Sequence, residues 1–240
     1  GRTWLPCPKP EYNPGERPGF DGLRTLEARE GNLWVGTDLY GMWRSSDGCQ
    51  TWTPLAPGMP HYGGNVGDQP RDVVDLHADA KGLLWCTGGR ERVPGTEAVI
   101  LVDTSVGMLR SEDGGASWRP SRSGLPTAGG NLVEVLYEPC NGIHAAGGTL
   151  FTSVDSGLYR STDDGASWHR MEAPTFTFEG TERPAPMHAV VEDGDRLVAL
   201  FSTAAQTPGL YQSTDGGGTW TPLAGAPAPL QRSETPASDR

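Results

Sequence analysis

No stretch of about eighteen apolar residues occurs in the chain, so it carries no segment of the kind that crosses a membrane as a helix. Long helix-forming runs are also few. Glycine (34) and proline (21) punctuate the chain instead, which favours many short strands joined by turns. Positive charge is scarce, with 19 Lys and Arg against 30 Asp and Glu and a formal net charge of -11. That balance argues against non-specific binding to nucleic acid or to an anionic membrane, both of which need clustered positive charge. The cysteines, Cys7, Cys49, Cys86 and Cys140, never stand at C-x-x-C spacing, so neither a zinc site nor any other metal or cofactor is expected. No secretory leader is visible, and Gly1 in place of an initiator Met fits a processed or trimmed chain. Secreted, periplasmic and cytoplasmic locations all remain open.

What the chain does have is a phrase repeated four times. It reads SSDGCQTW from Ser45 to Trp52, SEDGGASW from Ser111 to Trp118, STDDGASW from Ser161 to Trp168, and STDGGGTW from Ser213 to Trp220. Each copy follows a Gly-apolar lead: GMWR at Gly41, GMLR at Gly107, GLYR at Gly157 and GLYQ at Gly209. A repeat near 50 residues points to an architecture built from one supersecondary unit. The phrase suits a turn between strands, because a carboxylate beside glycines can accept backbone N–H bonds while glycine supplies positive φ. The lead suits the strand before it, and Thr/Ser-Trp the strand after it, with Trp as the anchor.

The pattern S-x-D-x-G-x-(S/T)-W resembles the Asp-box, or BNR repeat, of sialidase-like β-propellers. In that family the box is a folding element on the outer part of a blade, so the resemblance implies structural roles for Asp47, Asp113, Asp163 and Asp215. The first copy departs from the pattern, with Cys49 where the others carry Gly115, Gly165 and Gly217. A Cys7–Cys49 disulfide pinning the N-terminal segment is one expectation, and buried free thiols are the other.

The fold expected is all-β, a small β-propeller of four Asp-box blades with four antiparallel strands each. Residues 1–20 form a lead-in, and Thr3-Trp4-Leu5-Pro6 echoes the box ends closely enough to suggest an edge strand. The blades span about 21–55, 71–121, 131–171 and 187–223, and 224–240 is a Pro- and Ser-rich tail expected to be flexible. A compact closed ring of four blades is favoured over one completed by a partner. Long connections at 56–71, 121–131 and 172–186, and an insertion at 90–106, are expected to build one face of the disc.

In propellers the first strand of each blade lines the central channel. Opening the third unit at Leu132 places Arg24, Val74, Val133 and His188 in one column, and Thr25, Asp75, Glu134 and Ala189 in the next. Glu27, His77, Leu136 and Val191 share a third. Asp75 and Glu134 then form a carboxylate pair on adjacent blades, able to work as acid and base on a glycosidic bond. His77 and His188 are the accompanying catalytic candidates. Polar channel walls are ordinary in propellers, so the same residues also fit as solvated liners or as hydrogen-bond partners of neighbouring strand ends. Arg24, Glu27, Arg71, Arg90 and Arg92 are ligand-binding candidates, the arginines as clamps for a carboxylate. Tyr62, Phe176 and Phe178 could stack on a sugar or a partner.

Sialidases also need an F/Y-R-I-P motif ahead of the first box. None is present, and the ERPAP around Arg183 is not one, so sialidase activity is not expected. Two function classes remain. The favoured reading is a ligand-binding or protein-interaction propeller with a glycan as a plausible ligand. The alternative is a glycoside hydrolase or lyase using axial carboxylates, the chemistry implied by resemblance to longer xyloglucan-degrading Asp-box enzymes.

Overall fold

The structure is a computed structural model that describes residues 6–8, 23–37, 41–55, 73–87, 90–92, 99–101, 107–130, 135–203 and 207–224. Strands β1 (Leu23–Arg29), β2 (Asn32–Thr37), β3 (Met42–Ser45) and β4 (Thr53–Pro54) form the first antiparallel sheet in chain order. The second joins β5 (Val73–Asp79), β6 (Gly82–Thr87), β9 (Met108–Ser111) and β10 (Arg119–Pro120). Between β6 and β9 the insertion folds as its own hairpin, β7 (Arg90–Arg92) with β8 (Val99–Leu101). A further hairpin, β11 (Thr127–Gly130) with β12 (Val135–Tyr137), precedes the third sheet. That sheet is β13 (Cys140–Ala146), β14 (Thr149–Val154), β15 (Gly157–Ser161) and β16 (His169–Met171). The hairpin β17 (Thr175–Phe178) with β18 (Thr181–Pro184) leads to the fourth, β19 (Met187–Asp193), β20 (Arg196–Thr203), β21 (Thr207–Ser213) and β22 (Thr221–Pro222). Residues 1–5, 9–20 and 225–240, with the expected edge strand and most of the tail, lie outside the described residues.

Successive residues of the second strands serve opposite neighbours, as the two-residue period of a strand requires. Leu83 packs with Trp34 and Met42 of the first sheet, whereas Leu84 packs with Ile143 and Leu150 of the third. Phe151, next to Leu150, points the other way, into Met187, Val190 and Phe201 of the fourth. Hence β14 is buried on both faces. β1 packs on β5, β5 on β13 and β13 on β19, but among the described residues β19 has no comparable packing on β1. Among the described residues the four sheets thus follow one another as a series, and Leu26 and Val191, 65% and 57% exposed, lie at its two ends.

The repeated aspartates organise the turns. Asp163 Oδ1 accepts from Ser161 Oγ (2.7 Å) and Ser167 N (2.9 Å), while Ser161 Oγ accepts from Gly165 N (2.8 Å). Asp47, Asp113 and Asp215 repeat the arrangement with Ser45 and Thr51, Ser111 and Ser117, and Ser213 and Thr219. These donors stabilise the charged form and lower each carboxyl to a pKa of about 2, for Asp163 chiefly through the Ser161 and Ser167 hydroxyls. Since the folded values lie below the unfolded ones, this contribution is complete above about pH 4 and is lost as pH falls from there towards 2. Melting temperature should fall steeply across that window. In Asp163→Asn the fall should be shallower by about one proton, and an unchanged slope would dissociate the turn from acid unfolding.

The second, third and fourth turns are also gripped by the sheet before them. Trp34 Nε1 donates to Gly114 O (3.2 Å), and the Arg44 guanidinium lies against Gly114. Arg110 Nη2 donates to Asp164 O (2.6 Å), and Arg160 Nη1 to Gly216 O (2.9 Å). At the equivalent position of the fourth sheet stands Gln212, which accepts from Arg196 within its own sheet.

The turn glycines face the preceding sheet as well. A Cβ on Gly115 would come 2.5 Å from Leu55 Cδ1, and one on Gly217 would come 2.5 Å from Phe151 Cε1. Cys49 occupies this position in the first turn, with φ of 65°, and is disulfide-bonded to Cys7 with Cα atoms 5.7 Å apart. Trp52 Nε1 donates to Pro8 O (2.8 Å), so residues 6–8 lie along the outer part of the first sheet. Cys140 is also disulfide-bonded and buried, and no cysteine is free among the described residues.

Candidate functional site

The hairpin registers align the inner strands without ambiguity. Leu26 pairs with Val35, Leu76 with Trp85, Ile143 with Thr152, and Val190 with Ala199. Thr25, Asp75, Gly142 and Ala189 therefore share one column, and Glu27, His77, His144 and Val191 another. The inner strand of the third sheet is Cys140–Ala146, not a strand opening at Leu132. That corrects the column placement of Glu134, which lies outside the described residues, as does Arg71. Gly142 takes the place proposed for Glu134. A side chain there would crowd the site, since a Cβ would stand 3.1 Å from His144 Nε2 and 3.4 Å from Asp75 Oδ2.

Asp75 sits between three inner strands. Its Oδ1 accepts from Thr25 Oγ1 (2.7 Å) on β1 and from its own strand at Leu76 N (2.9 Å). Its Oδ2 accepts from Ile143 N (3.0 Å) on β13. His144 continues the series, with Nε2 3.0 Å from Met187 O on β19. Each inner strand thus sends one polar group to the next, up to β19, where the column ends in the exposed Ala189 and Val191.

Glu27 and His77 flank this line. Glu27 Oε1 lies 3.9 Å from His77 Nδ1, and both side chains are about three-quarters withdrawn from solvent, at 26% and 21% exposure. Burial pushes the Glu27 carboxyl above its ordinary range, with the negative charge of Asp75 adding to the rise. Burial lowers His77 and His144, which are held neutral. Below His77, Asp79 forms a two-pronged pair with Arg110, at 2.7 and 3.0 Å, and Arg110 is itself nearly buried.

Other candidates stand apart from this line. His188 is exposed and bonds to Ser202 Oγ. Arg24 is exposed on β1 beside an apolar cavity of about 310 Å³ lined by Leu23, Leu26, Val35, Trp52 and the Cys7–Pro8 segment. Arg90 and Arg92 lie on the β7–β8 hairpin. Phe176 packs against the core between the third and fourth sheets, and Tyr62 lies outside the described residues. No cluster able to hold a metal is present among the described residues. His144 is a site residue that the sequence reading missed. The signal was there, because Leu76-His77-Ala78 and Ile143-His144-Ala145 repeat the same triplet at the same distance from a hairpin turn.

No family model matches the chain. It is 28% identical over 235 residues to a xyloglucanase of Paenibacillus sp, covering 88% of this chain and 21% of that enzyme. It is 26% identical over 236 residues to xyloglucanase Xgh74A of Acetivibrio thermocellus, covering 87% of this chain and 26% of the enzyme. Among solved structures it resembles an ancestral GH74 enzyme, with a TM-score of 0.53 and 15% identity over 88% of this chain and 26% of that one. It also resembles the GH74 xyloglucanase of Xanthomonas campestris, with a TM-score of 0.51 and 20% identity over 85% and 30%. The fold is β-propeller-like. The chain spans about a fifth to a quarter of the length of these curated relatives. No helix among the described residues is long and apolar enough to cross a membrane.

Proposed function

We propose that the chain is a carbohydrate-handling propeller segment of glycoside-hydrolase type, built from four Asp-box blades and acting on a xyloglucan-class glucan. The relation to xyloglucanases across 88% of the chain carries this reading. It favours the hydrolase alternative over the binding platform that the sequence alone put first. The site geometry supports Glu27, rather than Asp75, as the proton donor. A largely buried carboxyl whose pKa is raised by desolvation, standing near a second carboxylate, is the arrangement that favours a proton donor in glycosidases. Asp75 has both oxygens engaged by Thr25, Leu76 and Ile143, so it serves as the fixed negative charge beside that acid. His77 lies next to Glu27 as a neutral hydrogen-bond partner, and Glu134 and His188 are assigned no step. Two disulfide-bonded positions, Cys49 and Cys140, favour a secreted or periplasmic setting.

The test is release of reducing ends from xyloglucan oligosaccharides, with binding followed separately by calorimetry. Glu27→Gln should abolish release while leaving binding and melting temperature nearly unchanged. Binding without release in the unaltered chain would return the protein to the platform reading. Neither binding nor release would end the glycan assignment.

A further inference from the structure

Neighbouring sheets meet at one repeated point, where the second strand of one sheet faces the start of the next inner strand. The first inner-strand residues of the second, third and fourth sheets are Val73, Cys140 and Met187, paired within their sheets to Thr87, Val154 and Phe201. The residue that faces each of them comes from the sheet before. In the first sheet it is Gly36, where a Cβ would stand 2.4 Å from Val73 Cγ1 and 2.9 Å from Val73 Cβ. In the third it is Ser153, whose Oγ accepts from Met187 N (2.9 Å). Both hold the same register position, one residue before Thr37 and Val154, the partners of Leu23 and Cys140.

In the second sheet the same register position, one residue before Thr87, holds Cys86. The repeat therefore sets Cys86 against Cys140, and β6 lies against β13 as β2 lies against β5. Cys140 is 3% exposed, within the cluster that joins the second and third sheets, and it is disulfide-bonded. The chain has four cysteines, and Cys7 is bonded to Cys49, so Cys86 is the cysteine left to bond Cys140. The count and the repeat agree. The Gly36–Val73 approach shows that this point brings two Cβ atoms within the reach of about 3.5–4.5 Å that a disulfide spans.

We propose that Cys86 and Cys140 form a disulfide between the second and third sheets, which clamps the contact of Asp75 Oδ2 with Ile143 N. Cys86 is the cross-strand partner of Asp75, and Cys140 opens the strand that carries Ile143 and His144. The bond ties together the two strands whose meeting fixes the Asp75 charge near Glu27. Its bearing on Glu27 as an acid rests on the hydrolase reading, whereas the bond and the clamp do not. It forms by exchange with an external disulfide: each thiol gives up its proton, the two sulfurs are joined, and the external disulfide is reduced to two thiols.

Peptide mapping of the unreduced 240-residue chain, folded in a glutathione redox buffer, tests the pairing. A Cys86–Cys140 linked peptide is expected beside the Cys7–Cys49 one. A free Cys86 thiol, or Cys140 linked to any other cysteine in the same or a second copy, would overturn the proposal. Reduction by a small thiol under native conditions adds a second reading on the unaltered chain. Label should enter Cys7 and Cys49 first, because Cys7 is exposed and Cys140 buried, and entry at all four cysteines at one rate would overturn a bond buried in the seam. The clamp is read by amide hydrogen exchange in the double variant Cys86→Ser, Cys140→Ser. The Ile143 amide should lose protection, while the Met187 amide, which bonds Ser153 at the next junction, keeps it. Equal loss at both amides would mean a general loss of stability and would overturn the clamp, as would protection retained at Ile143.

Discussion

Replacing Trp168 with alanine is expected to cost about 3–5 kcal/mol. Of the four turn tryptophans it is the one fully buried, at 2% exposure, within the cluster that joins the second and third sheets. Its Nε1 donates to Ser121 O (2.8 Å), and its backbone N–H donates to Ser123 O (2.8 Å). The ring therefore fills the junction while its polar atoms fasten the connection that leaves β10. Truncation empties that volume and leaves the Ser121 carbonyl without its partner. Denaturant unfolding should show a midpoint shift equivalent to roughly 6–20 °C in Tm. Trp52→Ala, in the first turn, should cost distinctly less, because that ring is only partly buried and touches the Pro8 segment rather than a neighbouring sheet. Equal losses at the two positions would mean that the second and third sheets are not seated on each other as described.

A methyl group added at Gly217 should cost about 2–4 kcal/mol, whereas the same change at Gly48 should cost only about 1–2 kcal/mol. Both glycines have positive φ, 87° and 71°, so both pay the left-handed conformation of an L-residue. They differ in what lies ahead. The new Cβ at Gly217 would stand 2.5 Å from Phe151 Cε1 and 2.8 Å from Cζ, on a ring with no exposed surface and no room to turn. At Gly48 nothing lies within 4 Å. Unfolding free energies of Gly217→Ala and Gly48→Ala, measured side by side, isolate the contact from the backbone term. Identical values would contradict the seating of the fourth turn on the third sheet.

Much of this architecture was legible because the information is local. An aspartate two residues after a serine, followed by glycine and a hydroxyl residue, specifies its own turn through bonds that never leave eight residues. The inner strand of the third sheet was misplaced for the opposite reason. Residues 132–137 have the apolar alternation of an inner strand, but they lead into β12, paired with β11 in a separate hairpin. Which of two similar segments joins a sheet is decided by pairing partners far along the chain. That error placed Glu134 in the axial column and hid His144. The Asp75 column could be seen in the sequence, but its bonds to Thr25 and to Ile143 N depend on three strands meeting, which only the assembled structure displays. Closure is not legible in the sequence, because a repeat counts units without setting the angle between them, and that angle comes from how Leu76, Ile143 and Val190 bury.

The contacts between neighbouring sheets repeat along the chain, from an arginine to the following turn and from an inner-strand apolar side chain to the sheet before it. A unit copied from the middle of the gene and reinserted beside its original would meet a compatible neighbour on both sides. Tandem duplication in a lineage of such proteins should therefore be able to lengthen the array from within.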